Sequence, residues 1–208
     1  MSFSRSSAVL ALLAGATATG RSLSAQSMSV QNLPRIHAIE LTFAGGYFQP
    51  TGTEGQLGGV SLTRRPSWVG SSHLNFYAPG GRTGVEVSAG YAPERIRQST
   101  GGTAAGSRRT NMMFGTAKVV FGRSPRLSGV SYMVGGGVGV LHRKKSVMDA
   151  AESTTNLGGV ASLMFRFPLD GQVGLRLDAQ NIIYKADYGL GSKMRNDLFL
   201  TAGLGISW

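Results

Sequence analysis

The chain of 208 residues contains 31 glycines and only 15% charged residues, which argues against an ordinary soluble helical domain and is typical of closely packed strands. It contains no cysteine, which excludes a disulfide framework, so stability must come from burial, backbone hydrogen bonds or lipid. The formal net charge of +11 indicates anionic partners, without choosing between nucleic acid and lipid headgroups.

Residues 1–25 have the pattern of a secretory signal peptide. Arg5 lies in a short polar start, residues 8–16 are apolar, and small residues follow. Two cleavage sites fit. A cut after Ala18 agrees best with the small-x-small rule, whereas a cut after Ala25, which we prefer, gives a more typical length. The apolar run is too short for a spanning helix.

Beyond a polar linker over residues 26–37, eight segments alternate apolar and polar residues with a period of two, which predicts β-strands. The predicted strands span residues 38–48, 67–78, 83–91, 111–122, 129–141, 154–167, 172–184 and 196–208. Their connections alternate between long and short, with long loops predicted over 49–66, 92–110, 142–153 and 185–195. This asymmetry is typical of transmembrane barrels, which have long external loops and short periplasmic turns. Residues 38–208 are therefore predicted to form an all-β, eight-stranded antiparallel up-and-down transmembrane β-barrel.

In each predicted strand the charged residues lie on the face opposite the aliphatic residues. A soluble barrel has its apolar face inward and its polar face outward, whereas in a membrane barrel the charged face points into the lumen and the aliphatic face meets lipid. The charged residues are Glu40, Glu86, Lys118, Arg166, Arg176 and Asp178. Mixed signs inside a narrow lumen predict an ion-paired network that blocks continuous water passage, because an unpaired buried charge is very costly. Within it we expect Glu86 to pair with Lys118, and Arg166 to reach Asp178.

Aromatic residues fall near the predicted strand ends, where the girdles of a membrane barrel form. They are Tyr47, Trp68, Tyr91, Phe121, Tyr132, Phe167 and Trp208. In the last segment, Thr201, Gly203, Ile206 and Trp208 resemble the terminal signal that the barrel-assembly machinery reads on bacterial outer-membrane barrels. That machinery is therefore an expected partner.

Taken whole, residues 38–208 resemble the small outer-membrane β-barrel family of OmpA-like and OmpX-like domains. The resemblance rests on strand count, loop asymmetry and the terminal signal. It implies a monomer in the outer membrane of a Gram-negative-type envelope, with a structural or surface-interaction role and no enzymatic activity. Two alternatives stay open, a lipid A-modifying barrel enzyme and a narrow, porin-like pore.

The candidate chemistry of the chain is sparse. The histidines His37, His73 and His142 show no metal-ligand spacing, so no catalytic, metal or cofactor site is predicted. Ser72–His73 invites comparison with lipid A hydrolases, but His73 lies on the predicted lumen face without a companion motif. Nucleic-acid binding is not expected, because no basic helix or known binding fold accompanies the charge.

Basic residues concentrate in or beside the predicted long loops, where they would favour contact with outer-membrane lipids and lipopolysaccharide phosphates. The candidates for that contact are Arg64, Arg65, Arg108, Arg109, Arg143, Lys144 and Lys145.

Overall fold

The structure, a computed structural model, describes residues 39–51, 53–57, 60–79, 81–100, 103–123, 129–144, 153–170, 172–187 and 192–208. The signal peptide and linker predicted over residues 1–37 lie outside the described residues. Within the described ranges, no helix is long and apolar enough to cross a membrane.

The described residues form ten β-strands, of which eight close into a ring. The strands are β1 (Ile39–Pro50), β2 (Thr53–Leu57), β3 (Val60–Arg65), β4 (Ser67–Tyr77), β5 (Thr83–Thr100), β6 (Thr103–Arg123), β7 (Ser131–Lys144), β8 (Ser153–Pro168), β9 (Val173–Asp187) and β10 (Ser192–Ser207). The ring order is β1, β4, β5, β6, β7, β8, β9, β10, each neighbour antiparallel, and β10 pairs back with β1. Ile39 and Trp208 complete the seam by exchanging backbone hydrogen bonds of 3.3 and 3.0 Å. The predicted eight-stranded antiparallel barrel is confirmed.

The strands β2 and β3 form a hairpin outside the eight-stranded ring. β3 continues the line of β4, because both strands pair with β5. β3 pairs with the outer part of β5, but the register differs by one residue between Gly70↔Tyr91 in β4 and Arg65↔Arg95 in β3. Pro66 separates the two strands and has no N–H to donate to the ladder. Because a one-residue shift exchanges the faces of a strand, Arg64 is buried while Arg65 is exposed.

Two of the predicted long loops are wrong. Residues 49–66 contain β2 and β3, and residues 92–110 belong mostly to β5 and β6, which pair as far as Thr100↔Thr103. Side chains there are polar on both faces, so the period of two is hidden. The ladder forms nevertheless, because backbone groups pair whatever side chains they carry.

The outer wall of the barrel is apolar. In β10, Leu200, Leu204 and Ile206 are exposed, whereas Phe199, Thr201 and Ser207 are buried, which confirms the predicted facing of this strand. The same alternation on other strands exposes a belt of large apolar side chains that includes Phe43, Val85, Val87, Val119, Val134, Val138, Val140, Leu157, Leu177 and Ile183. A soluble monomer rarely shows such a continuous patch, and lipid is the environment that suits it.

Three layers of side chains fill the lumen from the short-turn end to the long-loop end. Polar and charged residues come first, followed by an apolar layer around Phe48, Phe114 and Phe199, and then a second charged group that includes Asp197. On the wall formed by β6, β7 and β8, Val120, Met133 and Met164 make a smaller apolar cluster beside the first layer.

Candidate functional site

Glu86 is the centre of a buried ionic group near the short-turn end of the lumen. Its carboxylate lies 2.8 Å from Lys118 Nζ and 2.6 Å from Arg176 Nη2. Arg176 Nη2 also lies 2.6 Å from Asp178 Oδ2, and Lys118 donates to Gln180 Oε1 at 2.7 Å. All five side chains are buried, and opposite charges lie in direct contact, which offsets the cost of removing them from water.

A second ion pair lies beside this group. Arg166 Nε is 2.5 Å from Glu40 Oε2, and Arg166 Nη2 donates to Ser207 Oγ at 2.9 Å. The expected contact of Arg166 with Asp178 is wrong, because the Arg166 guanidinium bonds to Glu40 and Ser207 instead, while Asp178 bonds to Arg176 on its own strand. We call the six predicted lumen residues, all of which lie here, the turn-end network: Glu40, Glu86, Lys118, Arg166, Arg176 and Asp178.

His73 connects the turn-end network to a serine. Its Nδ1 lies 3.0 Å from Glu86 Oε1, and its Nε2 lies 2.9 Å from Ser71 Oγ. This hydroxyl–imidazole–carboxylate chain has the hydrogen-bond order of a serine hydrolase triad. The serine is Ser71, not the neighbouring Ser72, because residues two apart in a strand share one face.

The same histidine belongs to the one group in the described chain whose donors could converge on a metal ion. The ligand atoms of His73, Glu86 and Asp178 lie within 4.8 Å of one another. The Arg176 guanidinium bonds to both carboxylates and lies 3.4 Å from His73 Nδ1, and Lys118 contacts Glu86 at 2.8 Å, so these two cations already balance the two carboxylates of this donor set.

A second charged group, the loop-end cluster, lies at the opposite end of the lumen and consists of Arg64, Glu94, Arg143, Tyr184 and Asp197. The Asp197 carboxylate accepts hydrogen bonds from Arg64 at 2.9 and 3.0 Å, from Arg143 at 3.0 Å and from the Tyr184 hydroxyl at 3.1 Å. Glu94 pairs with Arg64 and lies 3.4 Å from Arg143 Nε. These contacts join β3, β5, β7, β9 and β10 across the lumen mouth.

Two of the predicted lipopolysaccharide contacts are wrong, because their side chains belong to the loop-end cluster. Arg64 and Arg143 were assigned to loops, yet both are buried in the lumen. Arg64 faces inward because of the register change at Pro66, and Arg143 because β7 continues to Lys144. Neither guanidinium can reach a lipid headgroup from this position.

Of the other five predicted contacts, the four in described strands lie at the long-loop end. Arg65 and Lys144 are exposed. Arg108 and Arg109 lie in the outer part of β6, and Lys145 lies outside the described residues.

The layer between the two charged groups is aromatic. The Phe199 ring centroid lies 5.0 Å from that of Phe48 and 4.6 Å from that of Phe114. Arg64 lies over the Phe48 ring at 5.3 Å, so this layer packs directly against the loop-end cluster. The apolar side chains of this layer are buried and pack against one another between the two charged groups.

The predicted girdle residues divide between the two barrel ends. Tyr47, Trp68 and Tyr91 are exposed near the long loops, and the rings of Trp68 and Tyr91 lie 5.9 Å apart. Exposed Phe121, Tyr132 and Trp208 lie at the short-turn end, with half-buried Phe167. For the predicted assembly signal, Thr201 is buried, Gly203 is half-buried, and Ile206 and Trp208 face outward; its role stays a prediction.

Sequence reasoning missed most of the loop-end cluster. Asp197 could have been found, because it lies on the polar face of a strongly alternating strand. Glu94 and Tyr184 gave weaker signals, since Glu94 lies in a stretch without apolar alternation and Tyr184 lies at the end of a predicted strand.

No protein-family model and no curated protein sequence matches the chain. Solved structures do match. Outer membrane protein OprG from Pseudomonas aeruginosa is 12% identical, with a TM-score of 0.57, over 83% of this chain and 97% of that one. The chain has the fold of the small outer-membrane β-barrels.

Two further outer-membrane barrels have similar structures. Neisserial surface protein A is 9% identical with a TM-score of 0.55, over 82% of this chain and 97% of its own. Outer membrane protein AlkL is 12% identical with a TM-score of 0.53, over 91% of this chain and 97% of its own. At these identities the likeness establishes the outer-membrane barrel fold and no shared ligand.

Proposed function

We propose that the protein is an integral outer-membrane barrel, a monomer, with a structural or surface-interaction role and no catalytic activity. The observation that carries this proposal is the combination of an apolar outer wall with a lumen filled by paired charges and aromatic rings. Lipid suits the wall, and a filled lumen leaves the exposed long-loop end as the surface open to partners.

The barrel walls at that end are long. β5 and β6 stay paired from Tyr91↔Met113, at the aromatic girdle, to Thr100↔Thr103. At about 3.3 Å per residue, these nine residues extend roughly 30 Å beyond the girdle. With the long loops outside, as in bacterial barrels generally, this hairpin, whose sequence carries Arg95, Arg97, Arg108 and Arg109, extends on the lipopolysaccharide side of the membrane.

Fractionation and conductance test the proposal together. The protein should be recovered in the outer membrane, migrate faster on unheated gels, and give no stable conductance steps in planar bilayers, because both charged groups and the aromatic layer close the lumen. Recovery as a soluble periplasmic monomer, or regular single-channel steps from the unaltered protein, would contradict it.

One observation favours a second candidate function, a lipid A-modifying enzyme. Ser71, His73 and Glu86 are hydrogen-bonded in the order that activates a serine nucleophile. Against it, the three side chains face the lumen, whereas lipid meets the outer wall. Mass spectra of lipid A from cells with the protein, without it, and with Ser71→Ala decide the matter: a modification lost in both controls would establish the enzyme.

A further inference from the structure

The strands of the ring are not paired along their whole length, because three ladders stop before the long-loop end. Their outermost pairs among the described residues are Pro50↔Asp197 between β1 and β10, Gly158↔Tyr184 between β8 and β9, and Asn111↔Lys144 between β6 and β7. One further backbone bond, from the Thr51 N–H to the Asn196 carbonyl at 3.1 Å, extends the first ladder. Strands β6, β8, β9 and β10 all continue outward beyond these pairs. We call the three places where pairing stops the seams.

The seams divide the outer wall into three groups of strands. The first group contains β2, β3 and the outer parts of β5 and β6, the second contains β7 and β8, and the third contains β9 and β10. Ladders hold each group together, as far as Thr100↔Thr103, Lys144↔Ser153 and Asp187↔Ser192. Between the groups, the described part of the chain shows no ladder beyond the seams, so contacts made by side chains hold the groups together there.

The loop-end cluster lies at the height of the seams. Asp197 and Tyr184 belong to the outermost pairs of two seams, and Arg143 directly precedes the residue that ends the third. The first group supplies Arg64 and Glu94, the second supplies Arg143, and the third supplies Tyr184 and Asp197. Each of the three groups therefore contributes to the cluster.

Contacts within the cluster bridge every pair of groups. Asp197 of the third group bonds to Arg64 of the first at 2.9 and 3.0 Å and to Arg143 of the second at 3.0 Å. Arg143 Nε lies 3.4 Å from Glu94 Oε2 of the first group. The Tyr184 hydroxyl accepts hydrogen bonds from Arg64 at 2.9 Å and from Arg143 at 2.7 Å. All five side chains are buried.

Two further side-chain hydrogen bonds cross the seams. Thr110 Oγ1 donates to the Lys144 carbonyl at 2.8 Å, and Asn156 Nδ2 donates to the Lys185 carbonyl at 3.2 Å. Both bonds are neutral and the second is exposed, so each stabilises the closed arrangement less than the buried charged contacts of Asp197.

We infer that the loop-end cluster is an ionic clasp that keeps the outer strand groups closed over the lumen, with Asp197 as its central residue. Without the Asp197 charge, the buried guanidinium groups of Arg64 and Arg143 lose the carboxylate between them, and their repulsion favours separation of the groups. Below the seams the closed ring of ladders holds the strands together, so opening is confined to the outer groups. Opening uncovers the aromatic layer, because Arg64 lies over the Phe48 ring at 5.3 Å.

The test measures distances between the groups by pulsed electron spin resonance in lipid vesicles. The chain has no cysteine, so nitroxides can be attached to pairs of cysteines introduced at Thr63, Lys144 and Met194, one exposed position in each group. Removing one member of a buried ion pair shifts an equilibrium by a factor of about a hundred. Asp197→Asn should lower the ratio of closed to open molecules by that factor, which adds a longer component to all three distance distributions.

Two controls separate opening from general loosening. Nitroxide pairs at Val85, Val134 and Leu204, exposed positions of the outer wall below the seams, should give the same distances in Asp197→Asn as in the unaltered protein. Asp178→Asn removes a buried carboxylate from the turn-end network and should leave the distances between the three outer groups unchanged.

Folding of each variant is checked by the heat-dependent gel shift. If Asp197→Asn does not fold, Tyr184→Phe takes its place, because it removes a hydroxyl shared by both arginines and should lower the closed-to-open ratio about tenfold. Unchanged outer distances in the folded variant, or an equal change in Asp178→Asn or in the pairs below the seams, would overturn the clasp. Those outcomes leave the proposed function intact, which fails instead if the protein is soluble in the periplasm or conducts ions.

Discussion

Glu86→Gln is the most informative single change in the lumen. The substitution keeps the shape of the side chain but removes a charge that contacts Lys118 at 2.8 Å and Arg176 at 2.6 Å. Removing one member of a buried ion pair costs about 3–5 kcal/mol. Arg176 keeps Asp178 at 2.6 Å, so we expect the lower end, about 3 kcal/mol, which is roughly a hundredfold in the unfolding equilibrium constant.

The assay is urea unfolding in lipid vesicles, followed by the fluorescence of the two tryptophans. The control is Lys193→Gln, which removes one charge at an exposed position near the start of β10 and should cost less than about 0.5 kcal/mol. Combining Glu86→Gln with Lys118→Met removes both charges of one pair and should recover part of the loss, because the uncompensated ammonium is gone. If Glu86→Gln costs no more than the control, or if the double variant is simply additive, the lumen is not a paired ionic network.

The remaining predictions concern the wall and the aromatic layer. Leu177→Arg faces lipid and should cost about 2–4 kcal/mol, whereas Leu169→Arg, on the exposed turn, should cost about 0–1; equal unfolding free energies would contradict the lipid-facing assignment. A Cβ at Gly90 would overlap the Phe114 ring, while one at Gly159 meets nothing within 4 Å. Gly90→Ala should therefore lower stability by about 1–3 kcal/mol in the same assay, and Gly159→Ala should be near neutral.

The sequence predicted the features that a regular alternation encodes. In β10 every second residue is apolar from Leu198 to Trp208. This one pattern predicted that the segment is a strand, which of its faces is apolar, and that the protein is a membrane barrel. The positions of Glu86 and Lys118 on one lumen face followed from the same rule, and the structure places them in direct register.

The loop-end cluster could not be predicted in the same way. Arg64 faces the lumen only because the pairing with β5 changes by one residue at Pro66, and a register change is a property of two strands together. Glu94 lies in the outer part of β5, where both faces are polar, so this part of the strand has no hydrophobic signature. The contact between Arg166 in β8 and Glu40 in β1 crosses the lumen. It forms only because the ring closes, and the order of the strands along the chain does not reveal it.

The central claim is that apolar residues face lipid while charges and aromatic rings fill the lumen. The chain has no cysteine, so single cysteines can be introduced at each position from Leu198 to Ile206 and labelled with a nitroxide without a background signal. In lipid vesicles, accessibility to oxygen, which concentrates in the bilayer, should be high at Leu198, Leu200, Ala202, Leu204 and Ile206 and low at the positions between them. A reversed alternation, or uniform accessibility along the strand, would contradict the account.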